Sequence, residues 1–448
     1  MLDETTPDIF IERRTMNKEI FNHIYSQLTD DEKETLHLFL SGQKYEQIAQ
    51  SMNWDTSNVG RKLKAIASKF NNSKSVKEFR EFLFEIFCEY RANLVSAELQ
   101  KFYGFHTIKI ILPGRPEKPD SPFYIERYRV KRRSIESECY EKIEEPGSLV
   151  RIKAPKKMGK TSLMRRIQAR ANQNDYLPIY LRFDNLIEPD NISNINDFLK
   201  AFNKNIKSRF TDVPDIKDWD NKNAKISCTQ EFEALLFYLE KEIVLLLDEV
   251  DEIFKYSEIA KDFFAMLRSW YEESNNLEIW ENLRMVIAYS TEYHGKLDIY
   301  QSPFNVGLPI ELKEFTLEQV TQLVYLHQLE PEVVTPLMSM VGGHPYLVRL
   351  ALYKMSKDEL TIEELLKYAS TESGIYQEHL SRHLETLVEK PNIKAVFNEV
   401  LTANSPVRLP QKNRELHQLE AMGLITIQGD DAEPRCQLYR RYFQERLG

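Results

Sequence analysis

One nine-residue segment, residues 154–162 (APKKMGKTS), constrains the fold of this chain more than any other. It follows an apolar run at residues 149–153 that is typical of a buried strand, and it precedes a helical stretch at residues 163–170. A strand, a tight loop ending in Gly-Lys-Thr and a helix are the context of a phosphate-binding loop, where backbone N–H groups and the helix dipole face a polyphosphate. The first position is alanine, where the usual pattern has glycine. The segment predicts an α/β fold with a nucleotide site at one edge of its sheet.

Three residues of this loop would each make a different contact with a bound polyphosphate and its cation. Gly159 lets the backbone approach the phosphates, Lys160 would place its ammonium group on the β- and γ-phosphates, and Thr161 would offer its hydroxyl to Mg²⁺. We therefore expect ATP or ADP, together with Mg²⁺, as the ligands. The whole loop is expected to contact the nucleotide: Ala154, Pro155, Lys156, Lys157, Met158, Gly159, Lys160, Thr161 and Ser162.

A second segment supplies acids to the same site. Residues 243–247 form an apolar run that ends in Asp248 and Glu249, and ligands of parallel sheets bind beyond the carboxyl ends of the strands. Asp248 would hold Mg²⁺ through water, while Glu249 and Lys160 are the leading catalytic candidates, with Glu249 deprotonating the attacking water. Ser290 follows another apolar run and is a third catalytic candidate, as a contact of the γ-phosphate or of that water. A simple exit from the strand is the alternative reading of Ser290.

Apolar runs and helical stretches alternate between residues 123 and 312, which indicates a parallel sheet buried on both faces. The expected strands are residues 149–153, 177–183, 243–247, 285–288 and 304–308. We predict five regions: an all-helical module (1–104), a proline-rich connector (105–122), a P-loop core (123–312), a helical lid (313–370) and a winged helix (371–448). The winged helix is inferred from helices closed by a two-stranded ribbon, residues 423–428 and 436–439.

Composition narrows the class of protein. The chain is 42% hydrophobic, which is enough to form packed cores. Its formal charge of −9 means that its surface as a whole does not attract nucleic acid. It has no apolar run of 18 residues and opens with an acidic segment where a signal peptide would be basic and apolar. The four cysteines are far apart, without metal-binding spacing. These features predict a cytoplasmic protein that does not contact membranes.

The module at the start of the chain contains three predicted helices within residues 28–70, the first capped by Thr29 or Asp30. Their spacing resembles a LuxR-type helix-turn-helix. Residues 57–69 contain cations and no acid, so DNA contact through Ser57, Asn58, Arg61 and Lys62 is one hypothesis. Such three-helix modules also serve as protein–protein adaptors, and that hypothesis stays open beside DNA binding.

Five motifs taken together resemble the bacterial AAA-like domain ATPases, which are similar to the signal-transduction ATPases with numerous domains (STAND) and to archaeal-type ATPases near the origin-recognition clade. The motifs are residues 121–127 (SPFYIER), 154–162, 247–251 (LDEVD), 302–310 (SPFNVGLPI) and 342–348 (GGHPYLV).

The resemblance implies that Tyr124 and Arg127 lie near the adenine and that Pro345 packs on the base from the lid. His344 or Arg349 would lie near the phosphates. An ordinary interhelical turn is the alternative reading of the glycine-rich segment before Pro345. Many STAND proteins have an arginine just after the strand that precedes Ser290, and this chain does not.

The hypothesis that follows is an ATP-binding, slowly hydrolysing switch in bacterial signalling or antiviral defence. Its nucleotide state would control access of a separately encoded protein effector to the first module. Two alternatives are an ATP-gated DNA-binding regulator with a helix-turn-helix and an oligomeric remodelling ATPase.

Overall fold

A computed structural model of the chain describes residues 18–70, 79–91, 94–96, 99, 110–130, 133–187, 192–210, 219–290, 303–403, 405–409 and 413–447. The chain divides into two compact units. One comprises residues 1–111 with 324–331, and the other comprises residues 112–323 with 332–448. Within the described residues, no helix is long and apolar enough to cross a membrane.

The first unit is a helical module with an aromatic core. Its helices are α1 (Lys18–Ser26), α2 (Asp30–Leu40), α3 (Tyr45–Met52), α4 (Thr56–Phe70) and α5 (Phe79–Tyr90). A reciprocal cap starts α2, because the Thr29 hydroxyl accepts from the Glu32 amide at 3.3 Å and Glu32 accepts from the Thr29 amide at 2.9 Å. Phe21, Phe70 and Phe87 pack against each other in the core, with ring centroids 5.0–5.4 Å apart.

The second unit is built on a five-stranded parallel sheet, as the alternation of strands and helices predicted. Its strands are β3 (Leu149–Lys153), β4 (Leu177–Arg182), β5 (Ile243–Asp248), β6 (Leu283–Tyr289) and β7 (Leu308–Glu311), in the order β4-β5-β6-β3-β7. A short antiparallel pair, β1 (Tyr128–Val130) and β2 (Arg133–Ser134), precedes them. Every residue of β5 and β6 is buried, and two separate apolar clusters cover the two faces of the sheet. The prediction of a parallel sheet buried on both faces is confirmed.

The fifth strand lies later in the chain than the sequence predicted. Residues 304–308 were expected to be extended, but Pro303–Asn305 form a 3₁₀ turn and the strand begins at Leu308. Gly307 separates the two with φ +69°, and a Cβ there would lie 2.5 Å from the carbonyl oxygen of Leu149. The chain can therefore enter the sheet beside β3 only after this glycine.

Helices cover both faces of the sheet. They are α6 (Ile135–Glu144), α7 (Lys160–Gln173), α8 (Phe183–Leu186), α9 (Ile195–Lys207), α10 (Ala224–Leu239), α11 (Ser257–Glu273) and α12 (Glu278–Glu281). The apolar side of α7 packs on one face through Leu163, Met164 and Ile167. Helices α9 to α11 cover the other face around Phe202, Phe263 and Trp270.

Helices follow the sheet. They are α13 (Leu317–Leu326), α14 (Val334–Val341), α15 (Pro345–Met355), α16 (Ile362–Tyr368), α17 (Gln377–Glu389), α18 (Pro391–Thr402), α19 (Asn413–Met422) and α20 (Gln437–Leu447). A capping box begins α13, since the Thr316 hydroxyl accepts from the Gln319 amide at 3.3 Å and the Gln319 side chain accepts from the Thr316 amide at 2.9 Å.

The last region contains a small antiparallel sheet of β8 (Val407–Arg408), β10 (Asp431–Pro434) and β9 (Ile425–Gln428), in that spatial order. The first strand of the predicted ribbon is right, but the second was placed too late, at residues 436–439. Gly429, with φ +64°, turns the chain at once, so Asp431 already pairs with Gln428. Residues 438, 439, 442 and 443 are buried at helical spacing, so this segment belongs to α20.

Candidate nucleotide site

The loop between β3 and α7 wraps around its own lysine. Gly159 caps α7 with φ +101°, and Lys157 also has a positive φ of 63°. The Lys160 ammonium donates to the carbonyl oxygens of Ala154 at 2.8 Å and Pro155 at 3.1 Å. Burial lowers the pKa of Lys160, against the opposing effect of nearby carboxylates. The loop therefore curls around the Lys160 side chain at the start of α7.

The two segments that the sequence assigned to one site meet at the carboxyl edge of the sheet. Asp248 ends β5 and is 1% exposed. Its Oδ2 atom accepts from the Thr161 hydroxyl at 2.8 Å and from the Tyr180 hydroxyl at 2.6 Å. Its Oδ1 atom accepts from the amide of Glu249 at 3.0 Å.

This donor set suits Mg²⁺ bound together with a polyphosphate. Magnesium prefers oxygen ligands and usually binds one or two carboxylates plus phosphates and water, and Thr161 and Asp248 supply a hydroxyl and a carboxylate side by side. Among the described residues, no group of three or more histidine, cysteine or acidic side chains could hold a metal.

Glu249 lies just past the strand in a left-handed backbone conformation, with φ 56°. Its carboxylate accepts from Arg182, at the end of β4, at 3.2 Å, and Arg182 also donates to Asp184 at 2.5 Å. Burial and the charge of Asp184 raise the pKa of Glu249, and the Arg182 charge partly offsets that rise. A carboxylate with a raised pKa is a stronger base near neutral pH, which suits proton abstraction from water.

Ser290 follows β6, is 2% exposed and borders the same cleft. Its amide donates to the Asp251 carboxylate at 2.8 Å, so Asp251 links the end of β6 to the turn after β5. Among the charged neighbours of Lys160, Asp251 has the largest effect on the pKa of that lysine, and it raises it. Sequence reasoning gave Asp251 no role of its own, although it is the last residue of the 247–251 motif.

The cleft in front of the loop has a volume of about 440 Å³. Tyr124 and Arg127 border it on one side. Arg127 donates to the carbonyl oxygen of Met158 at 2.7 Å, and its guanidinium lies 4.9 Å from the centre of the Phe315 ring. Tyr124 donates to Glu136 at 2.7 Å. Arg127 thus anchors the phosphate loop at Met158 from the edge of the cleft.

The start of α15 forms the opposite wall. Pro345 is the first residue of that helix and borders the cleft together with Tyr346 and Arg349. The Lys157 ammonium lies 3.7 Å from the centre of the Tyr346 ring. His344 is not among the residues that border the cleft.

His344 belongs to a buried cluster of aromatic side chains behind this wall. Its ring lies 5.9 Å from His379, whose Nε2 atom is hydrogen-bonded to the Tyr439 hydroxyl at 2.8 Å. Burial lowers the pKa of His344 to about 3 and that of His383 to about 4. These histidines are therefore neutral near pH 7 and hold α15, α17 and α20 together as packing residues.

The proline-rich connector lies along the first turns of α7. The Glu117 amide donates to the Ser162 hydroxyl at 3.0 Å, and the carbonyl oxygens of Pro116 and Pro119 accept from the two arginines that follow in α7. The Glu117 carboxylate accepts from Arg349 of α15 at 3.2 Å. Sequence reasoning missed Glu117, because an acid among prolines gives no sign of its partner.

The C-terminal region also reaches the phosphate loop. A Cβ atom at Gly423 would lie 3.1 Å from Cβ of Pro155. Arg435 donates to Glu314 at 3.1 Å, and Glu314 in turn accepts from the amide of Gly343 at 3.2 Å. The loop is therefore enclosed by the sheet, α15 and the last region.

The four candidates for DNA or partner contact lie on α4, in the other unit. Ser57 and Arg61 are exposed, whereas Asn58 accepts a hydrogen bond from Arg61 at 2.6 Å and Lys62 lies 5.3 Å from the centre of the Trp54 ring. Lys64 is exposed, while Lys69 is paired with Glu32 at 2.6 Å.

Comparison with known proteins gives weak sequence similarity and a shared fold. A Walker-type ATPase of Pyrococcus abyssi is 15% identical with a TM-score of 0.51, covering 72% of this chain and 99% of that one. The ORC2 protein of Aeropyrum pernix, solved as ADPNP–ADP complexes, is 14% identical with a TM-score of 0.45, covering 73% of this chain and 96% of that one. The first likeness shows a common architecture.

A curated relative is an uncharacterised WD repeat-containing protein of Synechocystis, 21% identical over 201 residues. That match covers 42% of this chain, and the chain spans only 17% of the relative's length. A family model described as an AAA-like domain matches residues 112–445. Since this match covers most of the chain, the chain belongs to the AAA-like domain family.

Proposed function

We propose that this protein is an ATP-binding, slowly hydrolysing switch of the STAND type. The observation that carries the proposal is the contact of the phosphate loop with three elements that are far apart in the chain. Asp248 touches it from the sheet, Tyr346 from α15 and Gly423 from the C-terminal region. A nucleotide in this cleft would contact elements that are far apart in the chain, so its phosphate count can change how they pack.

The chain's own groups supply the steps of binding and hydrolysis. Lys160 and the amides of the loop would neutralise the phosphates, and Thr161 with Asp248 would hold the cation. Bound Mg²⁺ would neutralise charge on the phosphate oxygens. Glu249 accepts the proton of the attacking water, and the Asp251 carboxylate fixes the backbone of Ser290 at the edge of the cleft.

Slow hydrolysis of ATP is expected because Arg182 restrains the carboxylate of Glu249, the proposed base. Arg182 donates to Glu249 at 3.2 Å, so the carboxylate must leave this partner or share it before it can orient water. Arg268 of α11 is not placed as an arginine finger, because it pairs with Glu272 at 2.6 Å and donates to Asn305. An arginine finger on the transferred phosphoryl group raises turnover by about 10³- to 10⁵-fold, so nucleotide hydrolases without one are slow.

The switch would act through the first module on a separately encoded partner in signalling or defence. In this proposal the elements α18 to α20 with the small sheet form the winged helix, and the nucleotide state sets whether the module of α1 to α5 is available. The support is the placement of Gly423 against Pro155, because opening the last region would expose the phosphate loop.

The test is the nucleotide released when freshly purified protein is denatured, compared between wild type and Lys160→Ala. We expect stoichiometric ADP from wild type and none from the variant, because Lys160 is the buried cation of the loop. Empty wild-type protein that exchanges nucleotide within seconds would contradict a closed switch.

A second candidate function is ATP-gated DNA binding through α4. Ser57, Arg61 and Lys64 are exposed at positions i, i+4 and i+7, so they share one face of that helix. Duplex binding by wild type should weaken steeply with salt and be lost in a variant carrying both Arg61→Ala and Lys64→Ala. Undetectable binding at low salt, with and without ATP, would exclude this function.

A further inference from the structure

Tyr180 is hydrogen-bonded to Asp248 of the nucleotide site, although it belongs to none of the phosphate-binding motifs. It lies on β4, whose register places it opposite Leu246 of β5 and places Arg182 opposite Asp248. From that position the Tyr180 hydroxyl donates to Oδ2 of Asp248 at 2.6 Å. Strand β4 thus contacts the Asp248 carboxylate through the side chain of Tyr180.

The hydrogen bonds of Asp248 come from three different elements. Thr161 of α7 and Tyr180 of β4 donate to Oδ2, and the amide of Glu249 donates to Oδ1. A hydroxyl has one donor hydrogen and two acceptor lone pairs, so Thr161 can keep its hydrogen bond to Asp248 while a lone pair faces a bound cation. The hydrogen bonds from Tyr180 and from the backbone hold the same carboxylate without facing the cation.

We propose that Tyr180 is a positioning residue that holds the Asp248 carboxylate in the orientation needed to bind the divalent cation of the nucleotide. The inference rests on the proposed function and adds a group outside the loop that sets the cation affinity. Partners of metal-binding side chains fix ligand orientation, and their loss typically lowers metal affinity about 10- to 100-fold.

Tyrosine ordinarily loses its proton only near pH 10, so the Tyr180 phenol is a donor at neutral pH. An uncharged donor to the buried Asp248 carboxylate is what the orientation requires.

The test is the Mg²⁺ dependence of binding of a fluorescent ATP analogue to Tyr180→Phe, which removes the hydroxyl and keeps the ring. We expect the Mg²⁺ concentration for half-maximal effect to rise about 10-fold or more, while affinity in EDTA stays at the wild-type value. Tyr176→Phe is the matched control, because Tyr176 precedes the same strand at its opposite end and is also partly buried. In an Asp248→Asn background, Tyr180→Phe should cause no further loss.

Each outcome of the Mg²⁺ titration leads to one conclusion. Unchanged Mg²⁺ dependence in Tyr180→Phe would overturn the inference and leave nucleotide binding standing. Equal loss of affinity with Mg²⁺ and in EDTA would also overturn it, because that loss indicates a structural role. Wild-type protein that binds no analogue under either condition would instead contradict the proposed function.

Discussion

At the scale of single residues, Glu249 decides hydrolysis separately from binding. We expect Glu249→Gln to lower the rate of phosphate release by about 10² to 10⁴, since glutamine keeps the shape of the side chain but cannot accept a proton. Nucleotide affinity should stay near the wild-type value. The control is Glu252→Gln, whose side chain also borders the cleft but is paired with Lys255. A Glu249→Gln variant that hydrolyses like wild type would assign the base elsewhere.

The pH dependence of hydrolysis follows from the same carboxylate. Burial raises the pKa of Glu249, and the base works only when deprotonated, so the rate should fall as pH drops through that raised pKa. The acid limb of the profile should therefore lie above the ordinary glutamate value of about 4.3. Loss of this limb in the residual activity of Glu249→Gln would assign it to Glu249.

The residues that could be predicted are those whose chemistry and local spacing agree. Lys160 and Thr161 follow the glycine of a loop between strand and helix, and Asp248 with Glu249 ends an apolar run. Tyr180, Arg182 and Glu117 could not be found this way. Their partners depend on strand register and on the path of the connector, which a single sequence does not show.

At the scale of elements, the connector offers a direct test of charge at the cleft. Glu117 of the connector borders it and accepts from Arg349 at 3.2 Å. We expect Glu117→Gln to bind nucleotide several-fold more tightly, because it removes a negative charge from the cleft and weakens the pairing of that charge with Arg349. The measurement is the Kd of a fluorescent ATP analogue.

Two variants control that measurement. Asp120→Asn removes an exposed carboxylate from the same connector and should leave the Kd unchanged. In an Arg349→Gln background, most of the gain from Glu117→Gln should disappear. Weaker binding by Glu117→Gln would mean that the carboxylate is needed to hold the cleft in shape.

Elements were predicted well where apolar runs are long and poorly where glycine decides the turn. The strands β3 to β6 coincide with apolar runs, whereas β7 and β10 are displaced from their predicted positions by several residues. Gly307 and Gly429 have positive φ at those places. Hydrophobic pattern alone cannot tell on which side of a glycine the extended conformation begins.

At the scale of the whole molecule, the phosphate loop is joined to the last region of the chain at Gly423. This glycine has φ +80°, and a Cβ there would lie 3.1 Å from Cβ of Pro155, so an added methyl group would push on the loop itself. Gly429 of the same region also has a positive φ, +64°, but an added Cβ would meet nothing within 4 Å. The two glycines therefore separate backbone strain from contact with the loop.

We expect Gly423→Ala to release bound ADP about 3- to 10-fold faster than Gly429→Ala. This ratio corresponds to a loss of about 1 kcal/mol in the free energy with which the last region retains the nucleotide. Both variants should lose about 1 kcal/mol of stability from the left-handed backbone alone. The measurements are the dissociation rate of a fluorescent ADP analogue and the urea midpoint of each variant. If both variants release ADP at the same rate, backbone strain accounts for the whole effect, and the contact at Pro155 has no part in retaining nucleotide. If only Gly423→Ala accelerates release, the last region holds the nucleotide in place through the loop, as a closed switch requires.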